Sequence, residues 1–273
     1  MKKPIICFTI ADKNNFKYAV MMLNSLRNFH DWEVVLITDE EDPEQLKKLP
    51  VNVTIKDLKT YIKNDSAFFY RQKPVIAEEY IKDYDLVLGL DSDQIITGDL
   101  GYILDTKDYD VATVINWNRV DPKEFGLVQA QGVLPPEYFN CGLVAMRSEK
   151  FVHHWKVLCF SNQFDRLQYK EQDLLNILCY YGNYNVRCLD HGDKPANMAA
   201  WWGLIAKGEY TRCILKDNKI IIPKGFGDTP FPTEDLELKV IHAAGGNQAN
   251  KMNYHTWFSE DIASRLDFLV SGK

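Results

Sequence analysis

The chain has 273 residues, 46% hydrophobic and 26% charged, the balance of a globular protein with a substantial core. A formal net charge of −6 disfavours broad electrostatic binding to nucleic acid or anionic membrane. No apolar stretch approaches the roughly 20 residues that span a bilayer. The six cysteines, Cys7, Cys141, Cys159, Cys179, Cys188 and Cys213, form no CxxC pair, and their mostly apolar flanks make them reduced core thiols of a cytoplasmic protein.

The N-terminal apolar run ends at Asp12, too short for a secretory leader, and predicts a first strand over Pro4 to Ile10. Tyr18, Met21, Met22, Leu26 and Phe29 then recur at helical spacing. Trp32 to Thr38 reads as a strand, Pro43 to Leu49 as a short helix opened by Asp42, and Val51 to Ile55 as a third strand. Phe69 to Tyr80 reads as a helix, in which Pro74 is tolerable only near the first turn. Tyr84 to Leu90 is a strand that runs into Asp91-Ser92-Asp93 and then Gln94 to Thr97.

Such strand–helix–strand alternation implies right-handed crossovers and an α/β fold with a mostly parallel central sheet. Ligands of these sheets bind at the carboxyl ends of strands, at a switch in strand order. Asp91 and Asp93 therefore stand where a buried strand meets the binding face, and in extended backbone both point to the same side.

Farther along, Val111 to Ile115 and Gly142 to Met146 read as strands, and Phe151 to Phe160 and Glu171 to Tyr180 as helices. Ile214 to Pro223 and Leu238 to His242 read as late strands. Ser259 to Val270 is a helix with Ser259 as N-cap and Glu260 and Asp261 in its first turn. Its apolar face, Ile262, Leu266, Leu269 and Val270, has no basic counterpart and suits docking on the body better than a membrane. Nothing reads as a repeat or linker, so the expectation is one domain over residues 1–273.

Two aspartates one residue apart at a strand end form a hard anionic site suited to Mn²⁺ or Mg²⁺; the plainer reading is a polar turn closing the strand. The run Val240-Ile241-His242-Ala243-Ala244-Gly245-Gly246 adds a third candidate ligand, His242, with glycines that let backbone approach a phosphate. Taken alone, His242 reads as a satisfied structural histidine sooner than as a ligand.

Together these residues resemble the metal-dependent glycosyltransferases of the GT-A fold, most nearly glycosyltransferase family 8. The resemblance rests on four segments in the family's order. They are Phe8-Thr9-Ile10-Ala11-Asp12 with Tyr18; Tyr84 to Asp93; Tyr138-Phe139-Asn140-Cys141-Gly142 with Glu171-Gln172-Asp173-Leu174-Leu175-Asn176; and His242-Ala243-Ala244-Gly245. It implies a Rossmann-like domain whose residues 1–97 hold the nucleotide, 98–258 the donor sugar and acceptor, and 259–273 a closing helix. It further implies that Asp91, Asp93 and His242 hold the ion, with Ser92 beside the donor. Thr9, Ile10, Ala11, Asp12 and Tyr18 would line the nucleoside pocket, and Arg71 or Lys73 would contact the donor. Asn140, Gly142, Glu171 and Gln172 would border the sugar, with Gln172 and Glu171 as the catalytic pair and Gly245 and Lys251 near the diphosphate. Glu171 and Asp173 are alternatively helix N-terminal acids meeting the dipole.

The implied reaction is transfer of a hexose or N-acetylhexosamine, with retention, from a UDP-linked sugar to a carbohydrate, glycolipid or protein acceptor. Three residues depart from the family pattern: Glu171 replaces aspartate, Cys141 replaces serine, and Gln248 stands nearest where the family lysine falls. Trp117, Trp201 and Trp202 could stack on an acceptor sugar, or pack in the core. The rivals are a haloacid-dehalogenase-type phosphatase, with Asp91 as nucleophile and Asp93 as general acid, and a non-catalytic nucleotide-sugar-binding protein.

Overall fold

The computed structural model describes residues 2–61, 68–105, 107–115, 138–189, 212–224, 234–243 and 252–272. The first half alternates β1 (Ile6–Ala11), α1 (Phe16–Arg27), β2 (Glu33–Thr38), α2 (Pro43–Leu46), β3 (Val53–Asp57), α3 (Phe68–Tyr80) and β4 (Val87–Leu90). There follow β5 (Gln94–Ile96), α4 (Tyr102–Asp105), β6 (Val111–Ile115), β7 (Phe139–Met146), α5 (Glu149–Cys159), α6 (Lys170–Tyr181) and β8 (Val186–Cys188). The described chain closes with β9 (Ile214–Lys216), β10 (Lys219–Ile222), β11 (Leu236–Glu237), β12 (Val240–His242) and α7 (Glu260–Val270).

Seven strands form one sheet in the order β3-β2-β1-β4-β7-β6-β8. The run β3-β2-β1-β4 is parallel, β7 is antiparallel to both neighbours, and β8 is parallel to β6. Chain order steps outward from β1 to β3 and then returns to the other side of β1 with β4. The switch point thus lies between β1 and β4, at whose carboxyl ends stand Asp12 and Asp91.

β1 is buried throughout, and apolar except for Thr9, because both of its faces are covered. Cys7 and Ala11 join Phe16, Ala19, Leu23 and Leu26 of α1 in one cluster. Ile6, Phe8 and Ile10 meet Ile76 of α3, Phe151 and Trp155 of α5 and Leu174 of α6 in another. Phe8 fixes the identity of its β4 partner: a Cβ on Gly89 would lie 2.9 Å from the Phe8 ring. A third cluster packs Ile262, Leu266 and Leu269 of α7 on Ile95 and Ile241, from the short antiparallel pair of β5 and β12. The described cysteines are all free thiols.

The structure differs from the sequence expectation at four places. Pro74 is the seventh residue of α3, not a first-turn residue, and it cannot donate to the carbonyl of Tyr70. The single strand expected over Ile214 to Pro223 is a hairpin, broken by Asp217 and Asn218 at φ 51° and 61°, the left-handed pair a tight two-residue turn requires. Ser259 occupies the N-cap of α7, yet its hydroxyl bonds the Asp261 carboxylate instead of capping the backbone. β7 begins earlier than Gly142, at Phe139, and slips register against β6: Thr113 pairs with Val144 and Val114 with Asn140. The Thr113 hydroxyl sits in that bulge, 2.6 Å from the carbonyl of Asn140 and 3.0 Å from that of Leu143.

Candidate active site

β4 ends at Leu90, and the next residues turn out of the sheet while the backbone N–H of Asp91 still reaches the carbonyl of Gly142 at 2.8 Å. β12 brings His242 alongside: His242 pairs with Gln94, and the N–H of Ala243 reaches the carbonyl of Asp93 at 2.9 Å. Nε2 of His242 lies 3.4 Å from Asp91 Oδ2 and 3.2 Å from Asp93 Oδ1. One ligand atom from each of Asp91, Asp93 and His242 lies within 4.8 Å of the others. Ligands about 2.1 Å from an ion and at right angles sit about 3 Å apart, so this oxygen–oxygen–nitrogen set fits a divalent ion such as Mn²⁺ or Mg²⁺. Ser92 lies half-buried between the aspartates.

The ring of His242 rests on the backbone of Gly142. A Cβ there would come within 2.3 Å of the ring carbon and 2.7 Å of Nδ1, so any side chain at position 142 would push the histidine away from the aspartates. Burial opposes a charge on His242, but Asp93 and Asp91 outweigh it and raise the ring to about 9.

α3 presents Lys73 to the same place. Its Nζ lies 2.6 Å from Asp91 Oδ1 and 2.9 Å from the carbonyl of Cys141. Burial works against both charges of this pair. Their attraction prevails, holding Lys73 above its ordinary value and Asp91, which also meets His242, below the usual carboxylate range. Arg71 points elsewhere: its guanidinium meets Asp165 at 3.0 Å and lies over the Phe164 ring.

The other wall is β7 against the first turn of α6. Oε1 of Gln172 accepts from Asn140 Nδ2 and from the N–H of Cys141, each at 3.1 Å, and Asn140 Oδ1 accepts from the N–H of Gly142 at 2.7 Å. A continuous chain of hydrogen bonds therefore joins Gln172 to the residue beneath His242. Glu171 is 6% exposed and sits 3.5 Å from the Cys141 sulfur, and its Oε2 has no partner among the described residues. Burial pushes its carboxyl up to about 7, with Lys73 opposing. The same burial keeps the Cys141 thiol well above its ordinary value, which makes it a neutral group rather than a nucleophile. Asp173 and Asn176 serve the framework. Asp173 accepts from the Tyr138 hydroxyl at 2.6 Å and the N–H of Tyr169 at 2.8 Å, and the Asn176 amide pairs with both backbone groups of Phe139 at 2.7 and 2.8 Å.

On β1, the sheet neighbour of β4, Thr9, Ile10 and Ala11 end the strand as buried residues, and the Thr9 hydroxyl has no partner among the described residues. Asp12 shapes the entry to α1, accepting from the Asn15 backbone at 2.9 Å and from its side chain at 2.7 Å. Tyr18 is buried on α1 in the cluster that holds Ile95 and Ile241. Gly245, Lys251, Trp117, Trp201 and Trp202 lie outside the described residues. Sequence reasoning passed over Gln94; an amide inside an otherwise apolar three-residue strand was the available signal.

No protein-family profile and no curated protein sequence matches the chain. Solved structures do. The galactosyltransferase LgtC, in complex with donor and acceptor sugar analogs, aligns at a TM-score of 0.63 and 17% identity over 97% of this chain and 95% of its own. The fold is that of the GT-A glycosyltransferases. The bifunctional glycosyltransferase WbbM matches at 0.61 and 15% identity over 98% of this chain, which spans 49% of WbbM. Mouse xyloside xylosyltransferase 1 matches at 0.57 and 12% identity, over 90% of this chain and 98% of its own. At these identities the likeness carries the GT-A fold and not the roles of single residues. The GT-A fold gives no support to the phosphatase reading of Asp91 and Asp93. Among the described residues no helix is long and apolar enough to cross a membrane.

Proposed function

We propose that this GT-A chain is a metal-dependent glycosyltransferase that moves a hexose or N-acetylhexosamine from a UDP-sugar to a carbohydrate, glycolipid or protein acceptor, with retention of anomeric configuration. One observation carries the reading: Asp91, Asp93 and His242 converge at the carboxyl end of β4, beside the switch point where sheets of this kind bind nucleotides. Mn²⁺ or Mg²⁺ fits that donor set, and when bound it supplies Lewis-acid stabilisation of charge on the departing diphosphate.

The chain's own groups then have assignable roles. Thr9, Ile10, Ala11, Asp12 and Tyr18 take the nucleoside, with the Thr9 hydroxyl, which has no partner among the described residues, the clearest polar contact. Lys73, already against Asp91, is favoured over Arg71 as the donor contact because Arg71 is committed to Asp165. Glu171 offers Oε2 to a sugar hydroxyl, which would satisfy a buried acceptor. Gln172, fixed by Asn140 and the Cys141 N–H, borders the anomeric carbon on the face away from the diphosphate. The acceptor oxygen bonds to that carbon on the face from which the phosphate oxygen leaves, and the hydroxyl proton passes to the departing phosphate. Gly245 and Lys251 complete the diphosphate contact, and Trp117, Trp201 and Trp202 the acceptor side.

The test is UDP release from a panel of UDP-sugars, each with Mn²⁺ and with a chelator. Metal-dependent release from one donor is the expected result. UDP binding without release from any donor, acceptors included, would instead make the chain a binding protein.

A further inference from the structure

Two buried atoms beside the proposed ion site are without partners among the described residues: Nδ1 of His242 and Oε1 of Gln94. They belong to residues that face each other in the β5–β12 ladder, and residues directly opposite in an antiparallel pair send their side chains to the same face of the sheet. Both side chains converge on Gly142. Gln94 Nε2 donates to its carbonyl at 2.9 Å, and the His242 ring rests on its α-carbon. Neither side chain is open to bulk water, Gln94 being 0% and His242 2% exposed.

The two atoms are complementary. His242 turns Nε2 toward the aspartates, so when Nε2 serves as a ligand the ring proton resides on Nδ1, and Nδ1 is a donor. The amide oxygen of Gln94 can only accept. A ligating histidine ordinarily gives its second N–H to such an acceptor, which fixes the tautomer and the ring orientation.

We propose that Gln94 is a positioning residue for His242, its Oε1 accepting the Nδ1 proton directly or through one trapped water while its Nε2 holds the Gly142 carbonyl. The role rests on the metal reading given above. The same carbonyl accepts the N–H of Asp91 at 2.8 Å, so one amide braces two of the three ligands. Gln94 touches neither the sugar nor the ion; it acts through His242 and Gly142.

The experiment is Mn²⁺ binding to the full chain without donor, by calorimetry and by EPR of free Mn²⁺, in wild type and Gln94→Met. Methionine keeps the length and apolar bulk of the side chain and removes both hydrogen bonds. Loss of such a partner typically weakens metal binding by about 10- to 100-fold, and that rise in Kd is expected. Histidine ¹⁵N NMR of the Mg²⁺-loaded wild type gives the second reading, independent of whether the variant folds: a protonated, slowly exchanging Nδ1 on His242 is expected. A folded Gln94→Met that binds Mn²⁺ within twofold of wild type would overturn the proposal, as would an unprotonated Nδ1. No Mn²⁺ binding by wild type would overturn the metal reading itself, and this role with it.

Discussion

The strands β1 to β4 and the corner between β7 and α6 adjoin at the β4–β7 pairing but are held by different forces. In the first region the backbone ladder runs unbroken through parallel strands, and apolar side chains from both faces supply the packing. In the second the ladder slips at Thr113, and buried or half-buried polar side chains take over its work: Thr113, Asn140, Gln172, Asp173 and Asn176 each bond backbone or one another. The first region is stiff because it is dense. The second is specific because its polar side chains are held by directional hydrogen bonds to particular backbone and side-chain groups. Asp91, Asp93 and His242 lie on the seam, with Gly142 joining them to the polar side.

Substitutions can break this contrast. The largest effect is expected on the seam: Asp93→Ala should lower metal-dependent UDP release by about 10³-fold, the scale of a lost charge-stabilising group, with the melting temperature near wild type. Next come paired core changes. Leu23→Ala in the dense region and Asn176→Leu in the polar one should each cost about 3 kcal/mol in denaturant unfolding, the former by a cavity and the latter by stranding both backbone groups of Phe139. Only Asn176→Leu should also lower turnover, because Phe139 precedes Asn140 and the Gln172 contact. Equal damage to turnover from both would erase the distinction.

A pH prediction follows in the polar region. Glu171 keeps its proton to about 7 in the folded chain, whereas an unfolded glutamate releases it near 4.5. The folded state binds more protons across that window, so this carboxyl's contribution to stability falls as pH rises through it. Glu171→Gln should therefore gain stability relative to wild type between pH 5 and pH 8, on the order of 2 kcal/mol, read from melting curves at the two pH values. A difference that does not change with pH would remove the buried, protonated carboxyl. The smallest effect is Gln172→Ala, which should reduce transfer by about tenfold while leaving UDP affinity within twofold; equal losses in both would place Gln172 away from the sugar.

The two regions also differed in how far their sequence could be read. Apolar runs closed by Asp12, by Asp91 and Asp93, and by His242 mark strand ends, because a buried strand tolerates a carboxylate or imidazole only where it leaves the core. The parallel order followed from the same alternation. The choice between Arg71 and Lys73 was out of reach: residues two apart on a helix point to nearly opposite sides, and sequence does not fix which side faces the crevice. Pro74 stands beyond the first turn of α3, and whether a helix tolerates a proline there depends on tertiary surroundings that no local pattern carries. The Asp217-Asn218 turn had a local signal in two residues that accept left-handed backbone. In the β7–α6 corner no periodicity announces that Asp173 and Asn176 reach back to Tyr138 and Phe139, since a polar side chain in a first helical turn reads the same whether it caps, solvates or clamps.

The most direct measurement is an anomalous difference map from crystals grown with Mn²⁺ and UDP. The account predicts a peak bounded by Asp91, Asp93 and Nε2 of His242, with the diphosphate beside it and the uridine against Thr9 to Asp12. A UDP-bound crystal with no Mn²⁺ between those three residues would contradict it.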